Sequence, residues 1–373
     1  MRKGVVFLAL QAVKIGDRQT SYNQGEEPNI RPEEDSWGNA LKNIAVDIGY
    51  GFVKLLIGQQ SVRFPSVVGM GRELNYLSPL SKYNQPLDNL QTKIDGRNYF
   101  VGNLAVRQSD LASRSLEQNR VIDPNAKILL LTAIGLLTQW EDQQFNLVTG
   151  LPTSYYANYS QAWARELTGQ YSVGVQQNGQ PRQKKITLKE VQIIPQPFGT
   201  LYDQMLNTIG DIINQELGEM LVGIVDVGFK TTDFAAAHNL EFIAHLSSST
   251  TTGIANVHRL MANYLQNNFK LEKEDYELDE IVEKAVTRVA GESQDLTSIR
   301  NTFFEQTAHK IINELSTRWD YRQFDIILLT GGGGKGLSQY IIPHFPNMVL
   351  VDDAQYANVR GFQKLANNLF ASR

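Results

Sequence analysis

Two aspartates in this chain stand at the ends of apolar runs and are each followed, after one residue, by glycine. Asp47 precedes Gly49, and Asp226 precedes Gly228. Glycine turns let backbone N–H groups approach phosphates closely, and Mg²⁺ is commonly held by one or two carboxylates together with phosphate oxygens. The repeated pattern therefore predicts two loops around one magnesium-bound polyphosphate, with Asp47 and Asp226 on the metal through water.

Other residues near these turns suit phosphate chemistry. Lys54 would place a positive charge on the β- and γ-phosphate oxygens, and Thr231 or Thr232 would add a hydroxyl donor beside the second loop. A third glycine turn is predicted directly after the buried run 324–330. Besides the aspartates, the predicted nucleotide-binding residues are Gly49, Tyr50, Gly51, Lys54, Gly228, Phe229, Lys230, Thr231, Thr232, Gly331, Gly332, Gly333 and Gly334.

The two common nucleotide-binding fingerprints are absent at these turns. A Walker loop ending at Lys335 would need glycine and Ser or Thr where the chain has Leu329 and Gly336. A dinucleotide fingerprint that begins at Gly49 would need glycine in place of Lys54. The paired Asp-x-Gly pattern is therefore the signal that remains.

Strand and helix signals alternate in both halves of the chain. Strand-turn-strand units are predicted over 44–57 and 221–235, and further strands over 62–64, 146–151, 186–193 and 324–330. Helices are predicted over 125–140, 198–217, 253–269, 279–289, 295–319 and 358–369. The mixture indicates an α/β fold, and 373 residues exceed one ordinary core, so two domains with a cleft are expected.

The composition narrows the class of protein. With 42% hydrophobic and 20% charged residues the chain can form buried cores, and a net charge of −4 gives no broad basic surface for nucleic acid. It has no cysteine, which suits a reducing compartment and excludes thiolate metal sites. We expect a cytoplasmic protein without a membrane span, which reaches nucleic acid through a partner rather than directly.

In this order, the motifs resemble the phosphate-1, phosphate-2 and adenosine motifs of the actin, sugar-kinase and chaperone ATPase superfamily. Within that superfamily the chain is similar to the ParM/StbA branch of plasmid-segregation actins over about residues 43–373. The segments that carry this second similarity are 148–152, 195–200, 226–233 and 357–361.

The resemblance implies an actin-like fold in which two related RNase H-like domains enclose a nucleotide cleft. It implies domain I over 43–198, completed by the C-terminal helix 355–373, and domain II over 199–354. Residues 1–42 would form an N-terminal extension or linker.

The resemblance also implies a function. Gln196 stands where the family places a Gln or Glu that orients the attacking water, and with Asp226 it would form the catalytic pair. An amide is not a strong base, so Gln196 would position water for slow hydrolysis of Mg-ATP to ADP. The family further implies nucleotide-dependent filaments of the chain itself and a DNA-binding adaptor protein that bridges them to plasmid DNA.

Two other functions fit the same fold. A sugar or acid kinase would need a carboxylate base aimed at a substrate hydroxyl, where the motifs offer Gln196. A non-polymerising actin-like adaptor would bind ATP and partner peptides. Individual residues also keep simpler alternatives: turn formation for Asp47 and Asp226, a solvated strand position for Lys54, a helix cap for Gln196, and ordinary strand positions for Thr231 and Thr232.

Overall fold

A computed structural model of the protein describes residues 41–72, 74, 85–109, 123–138, 141–176, 182–273 and 275–371. These residues belong to one compact unit, Trp37–Arg373. Apart from its last two residues, the predicted extension 1–42 lies outside the described residues, as does the predicted end of a helix at Trp140. The predicted domain boundaries stay predictions.

The strands form two large sheets and one separate hairpin. In chain order they are β1 Lys42–Ile48, β2 Phe52–Ile57, β3 Gln60–Pro65, β4 Val68–Met70, β5 Gln91–Ile94, β6 Arg97–Val101, β7 Asp142–Leu151, β8 Gly169–Gln176, β9 Arg182–Pro195, β10 Leu221–Val227, β11 Thr232–His238, β12 Glu241–Phe242, β13 Ser248–Thr250, β14 Val286–Val289, β15 Glu292–Asp295, β16 Ile326–Thr330 and β17 Met348–Leu350.

The α-helices of the described chain are α1 Asn103–Gln108, α2 Pro124–Leu137, α3 Thr153–Leu167, α4 Phe198–Met205, α5 Gln215–Glu219, α6 Ile254–Phe269, α7 Asp275–Lys284, α8 Thr297–Arg318, α9 Gly331–Ile341 and α10 Ala357–Leu369. Short 3-10 turns lie at Pro86–Asn89, Ala244–Leu246, Tyr321–Gln323 and Ile342–His344. Across the part of the chain that the structure describes, none of these helices combines the length and apolar character that a membrane crossing needs.

The two large sheets share a five-strand arrangement. The first has the order β3-β2-β1-β7-β9-β8-β5-β6-β4, and the second contains β12-β11-β10-β16-β17, with β13 beside β11. In both, three antiparallel strands are followed by two parallel ones. The fold is therefore α/β with two related halves, as the sequence predicts.

Alternate residues of the central strands point into different cores, as the period of a β-strand requires. In β1, Ile44 and Val46 join the core that α2 and α3 cover, whereas Ala45 faces a second core. That second core lies between the sheets and is filled by α4 and α10. In β10, Ile224 faces the same central core and Val225 faces α8 and α9 on the far side.

Two predicted helices differ in the structure. The helix predicted over 198–217 ends at Met205, because the chain turns at Asn207, whose side-chain oxygen accepts from the N–H groups of Ile209 and Asp211. The helix predicted over 279–289 ends at Lys284. Ala285 has φ +53°, a left-handed conformation that ends the helix, and the following residues form the β14–β15 hairpin.

Candidate functional site

The first predicted turn connects β1 to β2 and is fixed by its own backbone. The Gly49 N–H donates to the Phe52 carbonyl at 3.0 Å, and a Cβ at Gly49 would lie 2.9 Å from that oxygen. The Ser66 hydroxyl donates to the Gly49 carbonyl at 2.6 Å, and the Ser66 N–H donates to the Gly51 carbonyl at 2.9 Å. Ser66, which no sequence motif marks, therefore ties the end of β3 to the turn.

Asp47 is buried just before this turn and has two charged or polar partners. In the β1–β2 register it lies opposite Lys54, whose Nζ is 3.1 Å from Asp47 Oδ2. The Gln196 amide donates to Asp47 Oδ1 at 2.6 Å. The structure thus places Gln196, 149 residues along the chain from Asp47, on the carboxylate that Lys54 also binds.

Gln196 lies between β9 and α4 and is 9% exposed. Its backbone N–H donates to the Leu151 carbonyl at 2.8 Å, which ties it to the end of β7. The residue at the N-cap of α4 is Pro197, and no side chain caps that helix. The Gln196 side chain therefore bonds to Asp47 and does not cap the helix.

The second turn connects β10 to β11 and repeats the first. The Gly228 N–H donates to the Thr231 carbonyl at 2.8 Å. The first N–H groups of α6, from Ile254 and Ala255, donate to the carbonyls of Gly228 and Phe229 at 3.2 and 2.7 Å. Helix α6 therefore fixes the outer side of the turn.

Asp226 is buried at the end of β10. The Asn358 amide, from the first turn of α10, donates to Asp226 Oδ2 at 2.7 Å. Burial raises the pKa of Asp226 from 3.8 to about 7, and the negative charges of Asp233 and Asp47 add to that shift, while Asn358 and Lys54 oppose it. The carboxylate is thus held in a site that disfavours its charge unless a cation is present.

Asp233 lies at the candidate site, although no sequence motif selected it. It lies opposite Asp226 in the β10–β11 register, as Lys54 lies opposite Asp47 in the first hairpin. The equal seven-residue spacing was the signal that could have revealed it. Asp233 accepts from the Thr153 N–H at 3.2 Å, from the Thr231 hydroxyl at 3.3 Å, and from the Ser249 hydroxyl.

The two candidate threonines of the second turn have different surroundings. Thr232 is fully buried, and its hydroxyl donates to the Thr252 carbonyl at 2.7 Å, so its single proton is already used. Thr231 is partly exposed and lies beside Asp233. Of the two, Thr231 is the more exposed, and its hydroxyl would have to turn away from Asp233 to donate to a ligand.

The two turns are in contact. A Cβ at Gly51 would lie 3.2 Å from the Phe229 Cβ, so the backbone of the first turn packs directly on the second. The Lys230 ammonium lies 5.5 Å from the centre of the Tyr50 ring. Together with the bond from Thr153 to Asp233, these contacts bring the two halves of the predicted site face to face.

The four glycines from Gly331 to Gly334 form the first turn of α9 rather than the predicted loop. Gly331 makes the sharp change of direction after β16, with φ +85°, and a Cβ there would lie 2.4 Å from Asp226 Oδ1. At Gly333 a Cβ would lie 2.6 Å from the Val227 side chain. The protein's own packing therefore requires glycine at both positions, and their contact with a nucleotide stays a prediction.

The donor set fits a magnesium ion that is bound together with phosphate. Within the described ranges, no three acidic or histidine side chains group closely enough to hold a metal by themselves. Asp47 and Asp226 would therefore need phosphate and water oxygens to complete the six ligands of Mg²⁺, which is its usual manner of binding.

Two family models match the sequence. Residues 45–199 match the N-terminal domain of actin-like proteins, and residues 224–341 match the C-terminal domain of archaeal MreB-like actin homologues. The chain belongs to the actin-like proteins, as its motifs predict. A comparison with curated protein sequences gave no match.

Solved structures show the same fold. The chain resembles the ParM chain in the structure of a 15-stranded filament from Clostridium botulinum, with a TM-score of 0.73 and 25% identity, over 87% of this chain and 99% of the other. It resembles the apo psk41 ParM protein with a TM-score of 0.66 and 22% identity, over 88% and 98%. It resembles Ta0583, an archaeal actin homologue in complex with ADP, with a TM-score of 0.69 and 16% identity, over 87% and 99%.

Proposed function

We propose that the protein binds and slowly hydrolyses Mg-ATP and assembles into filaments that depend on the bound nucleotide. The observation that carries this proposal is the meeting of two equivalent hairpin turns, with Asp47 and Asp226 at their strand ends. Lys54 and Gln196 are held on the first of these carboxylates. That arrangement supports a site that encloses a polyphosphate from two sides.

The charges around the site support a requirement for a divalent cation. Burial and then the negative charges of Asp233 and Asp47 raise the pKa of Asp226, whereas the positive charge of Lys54 lowers it. A polyphosphate would be repelled by the carboxylates unless a metal ion lay between them. Bound Mg²⁺ would supply that positive charge and would draw electron density from the γ-phosphate.

Gln196 supports hydrolysis rather than transfer to a second substrate. Its amide is fixed on Asp47 beside the first turn, where it would orient a water molecule but would not deprotonate a substrate hydroxyl. A kinase would need a carboxylate base, and the buried Asp233 already accepts from three donors. We therefore favour a slow ATPase over a sugar or acid kinase.

Nucleotide binding tests the site directly. Titration with a fluorescent ATP analogue should give binding that requires Mg²⁺ and that weakens in Asp226→Ala. Asp320→Ala removes an exposed carboxylate on the surface and serves as the control. Equal affinity in folded Asp226→Ala and parent protein would overturn the assignment of Asp226.

Filament formation follows from closure of the cleft. A nucleotide held by both turns would fix one relative orientation of the two halves, and a head-to-tail interface that fits this orientation would extend into an open polymer. The resemblance to a ParM filament supports this mode of assembly. Loss of the γ-phosphate would remove the binding energy that favours closure, so the polymer would shorten.

Sedimentation and electron microscopy test assembly. Above a threshold concentration, Mg-ATP should give pelletable filaments, and a non-hydrolysable analogue should give longer-lived ones. A protein that stays monomeric with both nucleotides at tens of micromolar, at low and physiological salt, would instead favour the non-polymerising adaptor or the kinase.

The cellular role we propose is plasmid segregation in the cytoplasm. The chain has a net charge of −4, so a separate DNA-binding adaptor would join the filament end to plasmid DNA. Loss of plasmid inheritance on deletion of the gene, restored by the parent sequence and not by Asp226→Ala, is the expected result.

A further inference from the structure

A chain of buried polar side chains runs from Asp226 through the two central helices. Asn358 donates from Nδ2 to Asp226, and its Oδ1 accepts from the Thr200 hydroxyl at 2.8 Å. The Thr200 oxygen also lies 2.9 Å from that of Thr330, at the end of β16. Asn358 is 5% exposed, and both threonines are fully buried.

The orientation of the Asn358 amide is fixed from both ends. Asp226, when ionised, accepts hydrogen bonds only, so the amide must present its NH₂ group there. Thr200 then donates to the remaining oxygen. Because each partner comes from a different element, a shift of α4 or α10 would change how the amide meets Asp226.

Thr200 connects this network to the other side of the site. It lies in the first turn of α4, four residues after Gln196, whose amide donates to Asp47. The path from Asp47 through Gln196, α4, Thr200 and Asn358 therefore ends on Asp226. It joins both predicted magnesium-binding carboxylates beneath the turns.

We propose that Asn358 is a positioning residue for nucleotide hydrolysis. It holds the Asp226 carboxylate in the orientation that Mg-ATP requires and fixes the position of that carboxylate relative to α4. This proposal rests on the proposed ATPase function. Asn358 does not contact the reacting atoms. It acts through Asp226, and Thr200 fixes its side chain.

The test compares nucleotide turnover with nucleotide affinity in three variants. Asn358→Ala removes the amide, Thr200→Val removes only the hydroxyl at nearly constant shape, and Gln363→Ala is the control. Gln363 is a buried amide on the same helix, and it donates to the Asn43 carbonyl at 3.1 Å rather than to Asp226. Melting temperatures of all three identify any variant that fails to fold.

Turnover at saturating Mg-ATP should fall about tenfold or more in Asn358→Ala, because small misplacements of a group at the reacting centre are costly. The Kd for Mg-ADP should change by less than about threefold, since the backbone turns are intact. Thr200→Val should lower turnover in the same direction by a smaller factor. The double variant that combines Asn358→Ala with Thr200→Val should turn over ATP no more slowly than Asn358→Ala alone, as expected if both residues belong to one network.

Several results would overturn the proposal. Turnover in Asn358→Ala equal to that in Gln363→Ala would reduce Asn358 to a packing residue, as would multiplication of the two losses in the double variant. A parent protein that binds no Mg-ATP would defeat the proposed function itself, whereas an active parent with unaffected Asn358 variants would defeat only this inference.

Discussion

Helices α4 and α10 cross at two glycines, and that crossing sets the geometry beneath the site. A Cβ at Gly361 would lie 1.6 Å from the Gly199 carbonyl oxygen and 2.8 Å from the Asp203 N–H nitrogen. Both of these neighbours are backbone atoms, so no side chain can rotate away. We therefore expect Gly361→Ala to be among the most damaging single substitutions in this chain.

The magnitude follows from the distance that must open. Separations below 3.0 Å are essentially never tolerated by a Cβ, so the two helices would have to move apart until the distance from the new Cβ to the Gly199 oxygen grew from 1.6 Å to at least that value. Overpacking of a core typically costs about 1–3 kcal/mol, and here the strain falls on two backbones in the central core. We expect Gly361→Ala to lower the free energy of unfolding by about 3 kcal/mol or more.

Urea denaturation followed by circular dichroism measures this change, with Gly336→Ala as the matched control. Gly336 is also helical, but the nearest atom to its Cβ position is Phe304 Cε2 at 3.8 Å. Alanine there should raise stability by about 0.5–1 kcal/mol through helix propensity alone. A free energy of unfolding for Gly361→Ala within about 0.5 kcal/mol of the parent would show that the helices do not pack as described.

Three further outcomes are expected. Gln196→Ala should retain ATP binding but lose about 10²-fold in hydrolysis, measured as phosphate release, because it removes a group that positions water; equal turnover would make Gln196 a structural residue. Burial raises the pKa of Asp226 from 3.8 to about 7, so ionisation of this carboxyl destabilises the folded protein. The destabilisation is absent below about pH 4 and reaches its full size above about pH 7. Without nucleotide, Asp226→Asn should therefore be more stable than the parent, by up to about 4 kcal/mol at pH 8 and by little at pH 4, as thermal melts across that range can test. Arg360→Ala breaks a two-point ion pair with the buried Asp203 (3.1 and 2.6 Å) and should cost about 1–3 kcal/mol, whereas Lys284→Ala, at an exposed pair, should leave stability nearly unchanged.

Local sequence patterns predicted the hairpins well because their signals lie within a few residues of one another. The segment around Asp47 consists of two short apolar stretches joined by a glycine turn, and the structure forms β1 and β2 there. The helix predicted over 198–217 was wrong in extent, because the side-chain bonds of Asn207 end it early. A side-chain bond of this kind competes with helix formation only when the local backbone geometry allows the bond to form. The residue types alone therefore did not reveal that the helix would end early.

The sequence by itself determined the α/β class, the two Asp-x-Gly turns and the membership of the actin-like proteins, because each depends on short ordered motifs. Only the tertiary structure decided which residues lie together at the candidate site. Asp233 reaches its place through strand register, and Asn358 reaches Asp226 from 132 residues away through the crossing of α4 and α10. Contacts of that kind arise from the packing of distant elements, and no local pattern of residue types encodes the distance between two side chains that meet only when both cores have formed.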